Sequence, residues 1–203
     1  TTTVRASVGN YLIGKFISKN SQAKVILNGD GSDELMGGYL YFHAAPSSLE
    51  FDAECRRLLK DIHAFDVLRS DKCISSHGLE PRTPFLDREW VQFYLSIQPA
   101  IRTHNIEKNT EKYLIRKAFD KENILPEEVL WRRKEAFSDG CSSNERSWHK
   151  IIQEFVDKNV TDKEYEEQKN KYTFNKPELK ESYYFRKLFE SYYPNHSQVI
   201  PHF

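Results

Sequence analysis

The sequence predicts a helix-rich α/β fold on three observations: helical spacing of apolar residues along most of the chain, one short apolar run that reads as a strand, and a loop rich in glycine and acid directly behind that run. At 203 residues the chain can bury one sizeable core, so residues 1–203 are expected to be one domain or a large part of one. It begins with Thr, and its first element opens within a few residues, which suits a truncated chain.

Val4, Val8, Tyr11, Leu12, Ile13, Phe16 and Ile17 recur at helical spacing, which predicts an opening helix with Thr1, Thr2 and Thr3 as candidate caps before it. Lys24-Val25-Ile26-Leu27 reads as a short buried strand. It runs into residues 28–39, which hold four of the eight glycines together with Asp30, Asp33 and Glu34. Apolar stripes with polar opposite faces then predict helices over 49–64, 66–75, 87–97, 110–119 and 143–159. Thr161 and Glu164 have the spacing of a capping box, and Pro177 suits the first turn of a last helix whose Tyr183, Leu188, Phe189 and Tyr192 are expected in the core. Two irregular segments, 77–87 with its two prolines and 131–140 with its mixed charge and aromatics, interrupt the helices, and 157–175 is polar enough for a mobile surface excursion.

Lys plus Arg and Asp plus Glu both number 30, so no net field draws the chain to nucleic acid or an anionic membrane. Its apolar runs are far too short to span a bilayer and no charged-then-apolar leader opens it. Cys55, Cys73 and Cys141 are odd in number and contain no C-x-x-C pair, which predicts neither a disulfide framework nor a zinc site and fits a reducing, cytoplasmic setting.

The loop after the strand is the most informative stretch. Glycines leading toward a helix start can turn backbone N–H groups to an anion, and phosphate is the obvious guest. Carboxylates would repel phosphate unless a hard cation sat between them, so Asp30, Asp33 and Glu34 point to Mg²⁺ bridging a nucleotide or diphosphate. An EF-hand reading fails, because the places that need Gly and Glu hold Asp33 and Tyr39, and no Walker A Gly-Lys-Ser/Thr follows. An acidic cluster that merely starts a helix is the remaining alternative.

The motifs form an ordered set: Thr2-Thr3-Val4-Arg5-Ala6-Ser7; Gly29-Asp30-Gly31-Ser32-Asp33-Glu34 followed by Gly38-Tyr39 and Tyr41-Phe42; Phe65-Asp66-Val67-Leu68-Arg69; Gly78-Leu79-Glu80 with Arg82 and Pro84-Phe85-Leu86-Asp87; Glu111-Lys112; and Lys134-Glu135-Ala136-Phe137-Ser138-Asp139-Gly140. This set resembles the synthetase domain of the glutamine-hydrolysing asparagine synthetases, over nearly the whole chain. The resemblance implies the helix-rich C-terminal part of a doubly wound adenine-nucleotide hydrolase-like (ATP-pyrophosphatase, Rossmann-like) domain, mostly α in this stretch, with ligand at the carboxyl end of the strand.

The resemblance also implies an ATP- and Mg²⁺-using, cytosolic ligase of asparagine biosynthesis. Aspartate attacks the α-phosphorus of ATP to give a β-aspartyl-adenylate and pyrophosphate, and ammonia from a separate glutaminase domain then displaces AMP. Asn28, Gly29, Gly31 and Ser32 fall where that family contacts nucleotide, and Asp33 with Glu34 in its magnesium-pyrophosphate region. Asp30 and Lys134 take its catalytic positions, Lys134 as a compact cation for phosphate charge. Thr2, Thr3, Arg5 and, more weakly, Lys112 match its aspartate-handling positions, where a guanidinium can grip a carboxylate. Glu80 and Arg82 are expected as a buried structural pair. A homodimer is left open.

Two residues depart from the family pattern, Asn28 for Ser and Asp30 for Glu. Asp withdraws the carboxylate by roughly 1.5 Å, which implies a weakened form of the Glu role. The Ser-Gly-Gly-x-Asp-Ser pyrophosphate loop and the glutaminase nucleophile do not occur in this sequence, so the isolated chain is expected to be inactive. A β-lactam-forming synthetase and a non-catalytic helical relic are the alternative readings.

Overall fold

The structure, a computed structural model, describes residues 2–104, 110–121, 124–140, 142–143 and 145–199, with the side chains of residues 2, 3, 138 and 139 outside that set. It divides into two compact units, Ile13–Glu135 and the two segments Thr1–Leu12 and Ala136–Phe203. Helix α1 (Thr2–Asn20) supplies residues to both, and it takes in Thr2 and Thr3, which the sequence had placed ahead of it as caps.

In the larger unit β1 (Val25–Leu27) pairs in parallel with β2 (Glu80–Arg82), Ile26 opposite Pro81. Backbone bonds from Glu80 N to Lys24 O (2.7 Å) and from Asn28 N to Arg82 O (2.9 Å) extend the ladder. The second strand lies inside a stretch expected to be irregular. Residues before proline favour extended backbone, and a strand with one partner tolerates a residue without an N–H, so Glu80-Pro81-Arg82 can pair despite its proline. The expectation of a buried β1 is overturned: Val25 is 49% and Leu27 72% exposed, because among the described residues only one neighbouring strand flanks it. Glu80 and Arg82 do pair, on the surface rather than buried.

Helix α2 (Ser32–Met36) follows the loop and drives Leu35 and Met36 into a core shared with Tyr94 and lined by Leu59, Phe85, Trp90, Leu114 and Ile115. α3 (Ser48–Asp61) starts where Ser47 Oγ accepts from Leu49 N and Glu50 N, and its Phe51 and Cys55 form a second cluster with Phe42. The residues after Asp61 wind into a 3₁₀ turn, Ile62–Ala64, so the expected helix is one turn shorter. Burial pushes the Cys55 thiol up to about 12, the inert state of a cysteine used as a small apolar residue. Cys141 lies outside the described residues.

α4 (Asp66–Ser75) and α5 (Arg88–Ser96) match their predicted spans, the latter capped by Asp87 Oδ1 accepting from Glu89 N and Trp90 N. Short helices α6 (Pro99–Arg102), α7 (Tyr113–Asp120) and α8 (Glu127–Leu130) complete this unit.

In the other unit α9 (Phe137–Gly140) is a single turn within a segment read as irregular. α10 (Trp148–Asn159) begins later than its stripe because Ser147 caps it, accepting from Lys150 N. The polar 157–175 stretch contains α11 (Asp162–Gln168), begun by the predicted Thr161 cap, and its flanks bury Val160 and Tyr172 against Tyr183. α12 (Lys180–Tyr192) starts beyond Pro177, and Tyr183 is its core residue while Leu188 and Tyr192 are exposed. Among the described residues no helix is long and apolar enough to cross a membrane.

Candidate active site

The loop behind β1 turns on Gly31, whose φ of 89° places it in the left-handed region that suits glycine at the entrance to α2. This geometry puts Asp33 and Glu34 in the first turn of α2 with different surroundings. Asp33 is an acceptor for two lysines distant in sequence: Lys112 Nζ donates to its Oδ1 at 2.7 Å, and Lys134 Nζ donates to its Oδ2. All three groups are mostly buried yet keep some contact with solvent. Burial alone would push the Asp33 carboxyl up, but Lys112 and then Lys134 outweigh it and hold it below its ordinary value.

Glu34 points the other way. It is 4% exposed, and its Oε1 accepts from the Tyr39 hydroxyl. Burial raises both the Glu34 carboxyl and the Tyr39 phenol above their ordinary values. The Tyr39 ring also lies under the Lys134 ammonium, 5.6 Å from its centroid, so one aromatic side chain touches both the acid and the base of the site. The turn after α2 brings Gly38 so close to Asp33 that a Cβ there would overlap the Asp33 carboxylate and Cα.

Asp30 occupies a second pocket of the loop. Its backbone N–H donates to Asn28 Oδ1 at 3.1 Å, closing an Asx turn, and its Oδ2 accepts from Asn28 Nδ2 at 3.2 Å and from Ser70 Oγ on α4. Burial, partly offset by the Ser70 hydrogen bond, keeps the Asp30 carboxyl above its ordinary value, with Asp66 raising it further and Arg69 opposing. Asp66 and Arg69 are themselves paired. Gly29 borders open space, since a Cβ there would meet nothing, and Ser32 N donates to Gly29 O to close the turn.

The sequence-predicted residues Asn28, Gly29, Asp30, Gly31, Ser32, Asp33, Glu34, Lys112 and Lys134 therefore all lie in the larger unit, with Asp33, Lys112 and Lys134 in direct contact. Arg5 belongs to the other unit, where it makes a two-pronged bond to Glu181, Nε to Oε1 at 2.8 Å and Nη2 to Oε2 at 3.0 Å. Its fork is thus filled by an internal carboxylate. Thr2 and Thr3 fall in the first turn of α1, and their side chains lie outside the described residues.

Three contributors escaped the sequence reading: Tyr39, Ser70 and Glu181. Ser70 had a signal, since it sits four residues before Ile74 on the face of α4 that turns out buried, where a polar residue needs a partner. Among the described residues no group of three or more His, Cys, Asp or Glu side chains gathers as a metal site.

Two lysines are thus held at one carboxylate, beside a glycine turn with an open flank. The family model for asparagine synthase matches residues 1–53 and 45–200. The chain is similar to proteins named asparagine synthetase [glutamine-hydrolyzing] from Gallus gallus, 51% identical over 203 residues, and from Rattus norvegicus, 50% identical over 202. A third, from Homo sapiens, is 49% identical over 203 residues. Each alignment takes in 100% of this chain and 36% of the relative, so the chain spans about a third of the length of these curated relatives.

Proposed function

Because this chain belongs to the asparagine synthase family, we propose that it is the nucleotide-processing part of an ATP-dependent ligase that makes asparagine from aspartate, with ammonia released from glutamine elsewhere in a longer polypeptide. The observation that carries the reading is the convergence of Lys112 and Lys134 on Asp33 from 79 and 101 residues away. Two ammonium groups aimed at one point form a receptor for the densely charged diphosphate of ATP.

In this reading Asp33 holds both lysines in place before nucleotide arrives, and the phosphate oxygens then take over part of their hydrogen bonding. Lys134 is assigned the charge that builds on the leaving diphosphate, and the Tyr39 ring keeps its flexible stem from wandering. Magnesium binds through one or two carboxylates with phosphate oxygens and water filling the remaining places. Asp33 suits that single-carboxylate role, since it retains solvent contact whereas Glu34 is buried on Tyr39. When bound, Mg²⁺ would supply further neutralisation of diphosphate charge.

Asp30 is assigned to the aspartate end of the reaction, in a weakened form of the longer family acid. Thr2, Thr3 and Arg5 match the family's aspartate-handling positions, and here the Arg5 guanidinium is occupied by Glu181. A cytoplasmic setting accompanies the proposal.

The test is aspartate-dependent exchange of labelled pyrophosphate into ATP by a polypeptide of the relatives' length that carries this chain. Exchange is expected, and Lys134→Ala should lower it by about 10²–10³-fold, the usual loss when one such donor is removed. A polypeptide that binds ATP yet shows no aspartate-dependent exchange would sink the proposal.

A further inference from the structure

We propose that Ser70 is a positioning residue for Asp30: together with Asn28 it anchors one oxygen of the short acidic side chain and leaves the other to face a ligand. The inference rests on the adenylation role just given to Asp30, and its structural half can be tested without that role.

A hydroxyl has one hydrogen to give. In the interior of a helix it is commonly spent on the carbonyl one turn back, which satisfies the group and does nothing more. Ser70 lies in the middle of α4 and is only 4% exposed, yet its Oγ–H is donated across 40 residues to Asp30 Oδ2. The same oxygen accepts from Asn28 Nδ2 at 3.0 Å. Both its donor and an acceptor position are therefore turned toward the loop.

Asn28 closes the arrangement. Its Nδ2 reaches Ser70 Oγ and Asp30 Oδ2, at 3.0 and 3.2 Å, while its Oδ1 accepts from the Asp30 backbone. The three side chains form a ring of hydrogen bonds with Asp30 Oδ2 as its common acceptor. No hydrogen bond reaches Asp30 Oδ1 among the described residues, so the ring sorts two chemically equal oxygens into a tethered one and an available one. A carboxylate drawn back by one methylene needs such a tether, because a misplacement of about 1 Å can cost ~10²-fold in rate.

Asp66 and Arg69 on the same helix face Asp30 as well and set the charge around it. They are paired with each other, and among the described residues only Ser70 and Asn28 give Asp30 a hydrogen bond.

The experiment labels aspartate side chains with carbon-13, assigns the Asp30 carboxyl by its loss in Asp30→Asn, and follows its titration in the chain, in Ser70→Ala and in Ser70→Thr. Removing the hydroxyl removes a bond to the ionised form, so the midpoint should rise in Ser70→Ala, and Ser70→Thr should restore it. In the longer polypeptide, Ser70→Ala should lower the turnover of aspartate-dependent exchange roughly tenfold, leave KM for ATP unchanged, and be rescued by Ser70→Thr.

An unmoved Asp30 midpoint in Ser70→Ala overturns the proposal, as does a folded Ser70→Thr that restores neither quantity. If the parent polypeptide shows no exchange, the functional reading fails alone and the carbon-13 titration still decides whether Ser70 governs Asp30.

Discussion

Lys112 donates to Asp33 at 2.7 Å from a backbone held at φ 59° and ψ 31°, a left-handed conformation that lysine rarely adopts. Such a residue costs about 1–2 kcal/mol relative to ordinary backbone, so the surrounding structure holds it there and the bond to Asp33 is one of the restraints. Positions of this kind collect at binding and catalytic sites.

Lys112→Gly should therefore be tolerated better than Lys112→Ala. Both lose the bond to Asp33, but glycine adopts positive φ freely, and the alanine variant should be less stable by about 1 kcal/mol. Urea midpoints of the two variants measure this directly. Equal midpoints would mean that the backbone rather than the side chain relaxes when the ammonium is removed.

Asp33→Asn is expected to cost about 1.5–3 kcal/mol, the range for losing hydrogen bonds to a charged group, since both ammonium groups lose the carboxylate charge and one of them loses its acceptor oxygen to an amide N–H. In a double-mutant cycle with Lys134→Ala the two losses should be strongly non-additive. Additive losses would deny the direct contact.

The same carboxyl predicts a pH signature. Its folded value lies below the ordinary 3.8, because the lysines outweigh burial. The unfolded chain then binds more protons at acid pH, and the stability Asp33 contributes is complete above its unfolded value and lost as pH falls through the lower folded one. Asp30 and Glu34, raised by burial, contribute with the opposite sign: their share is present below the unfolded value and lost as pH rises through the folded one. Subtracting Asp33→Asn from the parent between pH ~6 and ~2 should isolate the first effect as a difference that shrinks toward acid. A difference that grows toward acid would reverse the assignment.

Gly38→Ala should damage the site through sterics alone. A methyl at that position overlaps both the Asp33 carboxylate and its Cα, so flexible side-chain motion cannot relieve it, and overpacking of this kind costs about 1–3 kcal/mol. Chemical shifts of Lys112 and Lys134 should move with it, whereas Gly29→Ala, with open space around the added methyl, should leave them in place.

Local pattern and motif order made much of this legible. The strand at 25–27, the glycine turn, the cap at Thr161 and the amphipathic α3 to α5 follow from neighbours within a few residues of one another. Asp33 and Lys134 were legible as motif members. That they touch was not, because 101 residues separate them and no local rule links them. Burial of β1 failed for a related reason: an apolar triplet is compatible with a covered strand, but the number of neighbours is a tertiary property. The starts at Trp148 and Lys180 lie beyond the expected ones because Ser147, not Ser143, caps the first helix, and Pro177 precedes the second without joining it.

The segment that carries Asp33 and Glu34 is only five residues long and is flanked by Gly31 and Gly37, both at positive φ. A Cβ on Gly31 would collide with Leu86 and one on Gly37 with Phe51, so both bends admit only glycine. The acids are thus carried on a short turn whose two ends are both closed to side chains. In the proposed function, reaching a phosphate falls to the long aliphatic arms of Lys112 and Lys134, whose ammonium groups can turn from one oxygen to another.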